Sequence, residues 1–169
     1  MVKLVDYNPE WEQRFFIEKK RMIDVIGDKV SGIEHIGSTS IKGMPAKPII
    51  DILVGISDVA DAFQLIEPFS TIQYEYVHKP ELIDRRFFRK GEWGRGTCHV
   101  HVCEYHSKEW KEKIWFRDYL SEHPPEAKQY AMVKRTLAVQ YAQDRALYSK
   151  SKEPFIQAVI EKARIRYEQ

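Results

Sequence analysis

The run Ile49-Ile50-Asp51-Ile52-Leu53-Val54-Gly55-Ile56 limits the fold more than any other stretch of this chain. It is the densest apolar, β-branched segment and reads as a central buried strand. A strand of that kind needs paired neighbours and covered faces, so the chain reads as α/β (α+β): a mixed β-sheet flanked by helices. One residue breaks the pattern. A carboxylate inside such a run is costly unless it is paired, hydrogen-bonded or metal-bound, which makes Asp51 a candidate site residue. The alternative is a cap or turn partner at the strand's end. Strand periodicity puts Leu53 on the same face as Asp51. Two-metal phosphoryl chemistry would want a second acid there, and leucine cannot supply it.

The remaining elements fall around that strand. Asn8-Pro9-Glu10 opens a helix whose Trp11, Phe15, Met22 and Ile26 recur at helical spacing, with Gly27 as its stop. Ile33–Ile36 is a short strand. Ser57 or Asp58 caps a helix through Val59, Phe63 and Ile66 that ends near Pro68. Ile72–Val77 and Arg85–Lys90 are strands, and Gly91, Gly94 and Gly96 mark a several-residue loop joining the latter to Thr97–Cys103. Trp93, among those glycines, reads as a loop residue covering a core edge; stacking on a base is the alternative. Beyond Tyr105 the pattern is helical. A helix from Ser107 to about Ser121 turns Trp110, Ile114 and Leu120 inward, Pro124-Pro125 starts another, and Ser151 caps a last one. The chain reads as one domain over residues 1–169, with a sheet-containing part (1–105) and a helical C-terminal third (106–169) packed on it.

Bulk composition excludes more than it identifies. No apolar run approaches the ~20 residues of a membrane span, and no secretory signal opens the chain, so the expected address is the cytoplasm. Net charge is +2, which argues neither for nor against nucleic acid, although nucleic acid is not the expected partner. Cys98 and Cys103 form neither a disulfide framework nor a CxxC pair. Walker A, GxGxxG and Ser-His-Asp patterns are absent.

Chemistry concentrates in a few segments. Gly37-Ser38-Thr39-Ser40 follows the first short strand, and twelve residues separate Ser38 from Asp51. Glycine lets a ligand approach the backbone, and the Ser38, Thr39 and Ser40 hydroxyls add donors, so the turn is a candidate phosphate cradle; a plain turn with a serine cap is the alternative. Lys47 precedes the Asp51 strand and is placed to meet an anion. Around Phe87-Phe88, alternation sets Arg86 and Lys90 on one face and Arg85 and Arg89 on the other. One set suits phosphate, the other solvent, and Arg86 is taken as the phosphate ligand. His99 and His101 share a strand face at roughly 6.8 Å. They read either as two imidazoles converging on one ion or anion, or as half-buried histidines bonded to neighbours. Lys134, Arg135, Arg145, Lys150 and Lys152 read singly as surface charge.

Glu34-His35-Ile36-Gly37-Ser38-Thr39-Ser40, Ala46-Lys47-Pro48-Ile49-Ile50-Asp51-Ile52, Arg86-Phe87-Phe88, His99-Val100-His101-Val102 and Phe116-Arg117-Asp118-Tyr119-Leu120 together resemble the GrpB family, over nearly the whole chain. The resemblance implies a nucleotidyltransferase-like fold in a bacterial cytoplasmic protein. In some lineages such a domain is joined to dephospho-coenzyme A kinase, which hints at nucleotide or coenzyme A chemistry. The wider nucleotidyltransferase superfamily uses a Gly-Ser motif for the triphosphate and an acid-x-acid pair for metal. Gly37 and Ser38 match the first, Asp51 matches the first acid of the second, and Leu53 departs from it. The resemblance therefore implies a nucleotide or other phosphorylated small molecule as partner. Asp51 and Ser38 would be catalytic, Asp51, His99 and His101 would hold a divalent metal (Mg²⁺, Mn²⁺ or Zn²⁺), and the reaction would be nucleotidyl transfer. A non-catalytic nucleotide-binding or regulatory module is the alternative, and a metal-dependent phosphohydrolase a further one.

Overall fold

The structure is a computed structural model describing residues 1–92 and 95–168; the expectations for Trp93 and Gly94 lie outside the described residues. Five strands form one mixed sheet in the order β1-β2-β5-β4-β3: β1 Gly32–Ile36, β2 Ile50–Ile56, β3 Glu75–Val77, β4 Arg85–Glu92 and β5 Arg95–Glu104. β2 is antiparallel to β1 and parallel to β5, and β4 is antiparallel to both β5 and β3. The expected central strand is thus paired on both edges, and Ile50, Ile52 and Val54 are fully buried.

One sheet face is covered by α1 (Glu10–Ile26) and α2 (Ile66–Thr71). Asn8 caps α1 by accepting from the Glu10 N–H at 2.9 Å. The buried side chains of α1 (Trp11, Phe15, Met22 and Ile26) pack on Ile50, Ile52, Val54, Val100, Val102 and Phe88. Each such fully buried side chain contributes roughly 1.5–3 kcal/mol. The other face carries Asp51, Leu53, His99 and His101. It is covered by the helical third: α3 (Lys108–Glu122), α4 (Pro124–Gln140) and α5 (Arg145–Tyr167). Trp110 of α3 docks where β1 and β2 are bare. A Cβ on Gly55 would fall 2.8 Å from the Tyr105 ring and 2.9 Å from the Trp110 ring.

Several boundaries differ from the sequence reading. The segment after Asp58 is mostly a 3₁₀ helix (Val59–Leu65), and α2 runs past Pro68, which sits in its first turn where no N–H is needed. β3 is shorter than Ile72–Val77 because Gln73, at φ +73°, turns the chain out of α2. The β4–β5 pairing continues to Glu92 with Arg95, past the several-residue loop the glycines suggested. The last helix begins at Arg145, not Ser151. The Asp144 side chain accepts from the Leu147 N–H, and the helix continues through Pro154. That extra length carries Tyr148, one helical turn from Lys152, onto the open part of the second face.

Candidate anion-binding site

β1 delivers the chain into Gly37, which takes φ +72° and starts the short 3₁₀ turn Ser38–Ser40. A side chain is excluded at Gly37 by conformation and by space, since a Cβ there would lie 2.7 Å from Asp51 Oδ2. The turn and the strand-borne carboxylate are therefore in contact. Ile36 pairs with Asp51 across the β1–β2 ladder, which brings them together. The parallel β2–β5 register sets Asp51 beside His99 and Leu53 beside His101. Asp51 Oδ1 lies 3.7 Å from His99 Nδ1 and 3.7 Å from His101 Nε2. Phe87 on β4 packs against both imidazoles, with ring centroids 5.1 Å and 5.4 Å away.

Ser38, Thr39, Lys47, Asp51 and His99 line one cleft of about 150 Å³, and the helical third completes it with Lys134, Tyr148 and Lys152. Lys134 is 1% exposed and donates to the Pro45 carbonyl. Tyr148 stands between two ammonium groups, with Lys47 Nζ 5.6 Å and Lys152 Nζ 4.6 Å from its ring centre. Burial, reinforced by the neighbouring cations Lys152, Arg135 and Lys47, lowers the Lys134 pKa to about 7. Burial and Lys47 lower that of Lys152 to about 8, against the pull of Asp51 and Glu153. Lys47 is also lowered, by burial and by Arg145. Three ammonium groups held at a cost to their own charge, with serine and threonine beside them, form an arrangement that an anion stabilises.

The remaining electrostatics centre on Asp51. Burial raises its pKa, but the facing His101 imidazole, then His99 and the Lys113 ammonium, outweigh burial and lower it, keeping Asp51 ionised. His99 and His101 are lowered by burial despite the carboxylate. The 3.7 Å separations are long for a direct hydrogen bond. One carboxylate oxygen facing two imidazole nitrogens is a donor set that suits zinc or manganese better than magnesium. Among the described residues no group of three or more His, Cys, Asp or Glu side chains is gathered closely enough to hold an ion by itself. A cation here would need further oxygens from a ligand or water.

Other sequence candidates make structural contacts or face away from the cleft. The Ser40 N–H and hydroxyl both bond the Gly37 carbonyl, so Ser40 closes the turn. The Thr39 hydroxyl sits 2.9 Å from His35 Nε2, whose ring stacks on Phe15. Arg86 pairs with Val102 and projects to the core side, away from Asp51, donating to the Ile83 and Arg85 carbonyls. The alternation was right, but the set on the site face is Arg85, Phe87 and Arg89. Leu53 is 1% exposed and packs with Ile36, Cys103 and Trp110. Lys134 and Lys152, which read from the sequence as surface charge, line the cleft instead. A signal for Lys152 was present in its spacing from Tyr148, hidden by the wrong helix start; Lys134 carried none.

The GrpB protein family model matches residues 1–162. UPF0157 protein YqkA of Bacillus subtilis (strain 168) is 36% identical over 163 residues, covering 96% of this chain; the chain spans 47% of that relative's length. Glutamate-rich protein GrpB of Alkalihalophilus pseudofirmus is 35% identical, with 94% of each chain covered. A crystal structure of conserved protein GrpB from Enterococcus faecalis superposes with a TM-score of 0.91 at 32% identity, covering 99% of this chain and 100% of that one. A more distant match, 26% identical over 96% of this chain, occupies 46% of a dephospho-CoA kinase of Mycolicibacterium paratuberculosis. Among the described residues no helix is long and apolar enough to cross a membrane.

Proposed function

Since the chain belongs to the GrpB family and has a nucleotidyltransferase-like fold, we propose that it binds a nucleotide or another phosphorylated small molecule in the cleft between the Ser38 turn and α5. The observation that carries this reading is the convergence of Lys47, Lys134 and Lys152 with Ser38 and Asp51 in one small cavity. The lysines neutralise phosphate oxygens, and Ser38 orients the group they hold. Asp51, His99 and His101, together with oxygens from the ligand or water, would hold a divalent cation, which when bound supplies charge neutralisation at phosphorus. The reaction this arrangement suits is transfer of a nucleotidyl group to a small acceptor.

A second reading is a binding or regulatory module without catalysis. The buried Leu53, in place of a second acid, favours it. The distant relative named dephospho-CoA kinase directs attention to coenzyme A precursors as ligands for either reading.

The test is a thermal-shift titration with nucleoside triphosphates, dephospho-coenzyme A and Mg²⁺, Mn²⁺ or Zn²⁺ on the wild type and on Asp51→Asn. Ligand binding raises Tm with ligand concentration. The proposal expects a shift with at least one phosphorylated ligand, and a metal-dependent increment lost in Asp51→Asn. No shift with any of them would refute it. Binding without pyrophosphate release from labelled triphosphate would select the second reading.

A further inference from the structure

A second cleft adjoins the first and shares Lys47, Ile49 and His99 with it. It is larger, about 620 Å³ against about 150 Å³. Its lining includes Lys3, Lys47, Lys79, Arg95 and Arg145, with the buried Arg89 donating to the Gly91 carbonyl, and no Asp or Glu lines it among the described residues. The chain as a whole is almost balanced, with 27 Lys and Arg against 25 Asp and Glu. Lys3, Lys47, Lys79 and Arg95 along one lining are therefore a local concentration of positive charge, which favours an anion wherever it lies next to a binding cavity.

The floor of this cleft is different in kind. Pro48, Ile49, Val77 and Phe87 supply apolar surface. Lys79 Nζ sits 4.2 Å from the Phe87 ring centre, so the rim cation and the floor form one unit. A lone phosphate needs no apolar floor of this size, and a bare linear polyphosphate would leave that floor wet. Apolar lining with a few well-placed charges is what recognises an organic body bearing charged ends.

We propose that the two clefts are one divided site for a small ligand with anionic groups at two separated positions, joined by a less polar body. A nucleoside carrying a phosphate at each end is the model of that class. One anionic group is held by Ser38, Lys134 and Lys152. The body crosses Lys47 and His99 onto Phe87, and the second anionic group meets Lys79 and Arg95. This inference rests on the proposed function for the first group and adds the second.

Calorimetric titration of the full chain with inorganic phosphate, adenosine 5′-monophosphate and adenosine 3′,5′-bisphosphate tests it, alongside the variant Lys79→Ala/Arg95→Ala. Both side chains are exposed, so the variant should fold as the wild type does. The bisphosphate is expected to bind at least about tenfold tighter than the monophosphate, which is the discrimination of one well-held charged group. In the variant that gain should disappear while monophosphate affinity stays within about twofold. Equal affinity of the two nucleotides for the wild type would overturn the divided site and leave the phosphate cleft standing. So would a variant that weakens both nucleotides alike. Failure of all three probes to bind would instead overturn the phosphate cleft itself.

Discussion

Replacing Lys134 by methionine should stabilise the protein at acid pH while weakening its affinity for phosphate. The side chain is 1% exposed, and burial with neighbouring cations lowers its pKa from 10.5 to about 7. A shift of that size corresponds to roughly 5 kcal/mol of penalty on the charged form. The sign follows from proton binding: between the two pKa values the unfolded chain holds the proton and the folded chain does not. The penalty is therefore complete below about pH 7 and fades as pH rises to about 10.5. Methionine fills a similar volume without charge, but it forfeits the hydrogen bond to the Pro45 carbonyl, a loss of about 1–3 kcal/mol. The net expectation is a gain of about 2–4 kcal/mol near pH 6, shrinking with pH and becoming a loss of about 1–3 kcal/mol above pH 10.5. Urea unfolding followed by tryptophan fluorescence at several pH values measures it. A Lys134→Met protein less stable than wild type at pH 6, or a difference independent of pH, would refute the reasoning. Phosphate affinity in the same variant should fall at least about tenfold.

Other consequences are equally direct. Gly37→Ala meets both a positive φ and the Asp51 carboxylate, so a loss of about 1–3 kcal/mol is expected by chemical denaturation, together with weakened ligand binding. Glu18 lies 8% exposed on α1 and accepts hydrogen bonds from Tyr74 (2.7 Å) and Lys90 (2.9 Å). Glu18→Ala strands both partners and should cost about 3–5 kcal/mol in the same assay. Leu53→Asp, which completes the acid-x-acid spacing, should lower stability by several kcal/mol without creating activity, because the position is packed against Trp110 and Ile36; pyrophosphate release by a folded variant would contradict this. Burial pulls the His35 pKa to about 4, against Asp51 and with Arg117. Its contribution is present above pH 6.5 and is lost as pH falls from 6.5 to about 4. A pH series of unfolding curves on wild type and His35→Gln should show that difference, at most about 3 kcal/mol.

The fold was legible where local and global requirements agree. The apolar β2 run, the Asn8 cap of α1 and the alternation in β4 and β5 each have one strong reading, and the folded chain follows them. The Gly37 turn and Asp51 were legible for a different reason: a lone acid in an oily strand and a glycine before three hydroxyls both go against local expectation. The misplacements share a cause. Arg86 was chosen over Arg85 and Arg89 because alternation gives two faces but not which of them meets Asp51; the β4–β5 register decides that. Ser151 looks like a helix start because a cap residue precedes the helically spaced Phe155, Ile156, Val159 and Ile160. Asp144 caps the same helix earlier, and Pro154 is carried inside it. Lys134 and Lys152 have the composition of surface charge, and only the packing of α4 and α5 over the sheet turns them inward.

Crystals soaked in phosphate or tungstate offer the most direct measurement of the central claim. The account predicts an anion within hydrogen-bond distance of the Ser38 hydroxyl and the Lys134 and Lys152 ammonium groups, beside Asp51 and Gly37. Anion density confined to other surfaces, with this cleft holding only water at saturating concentration, would contradict it.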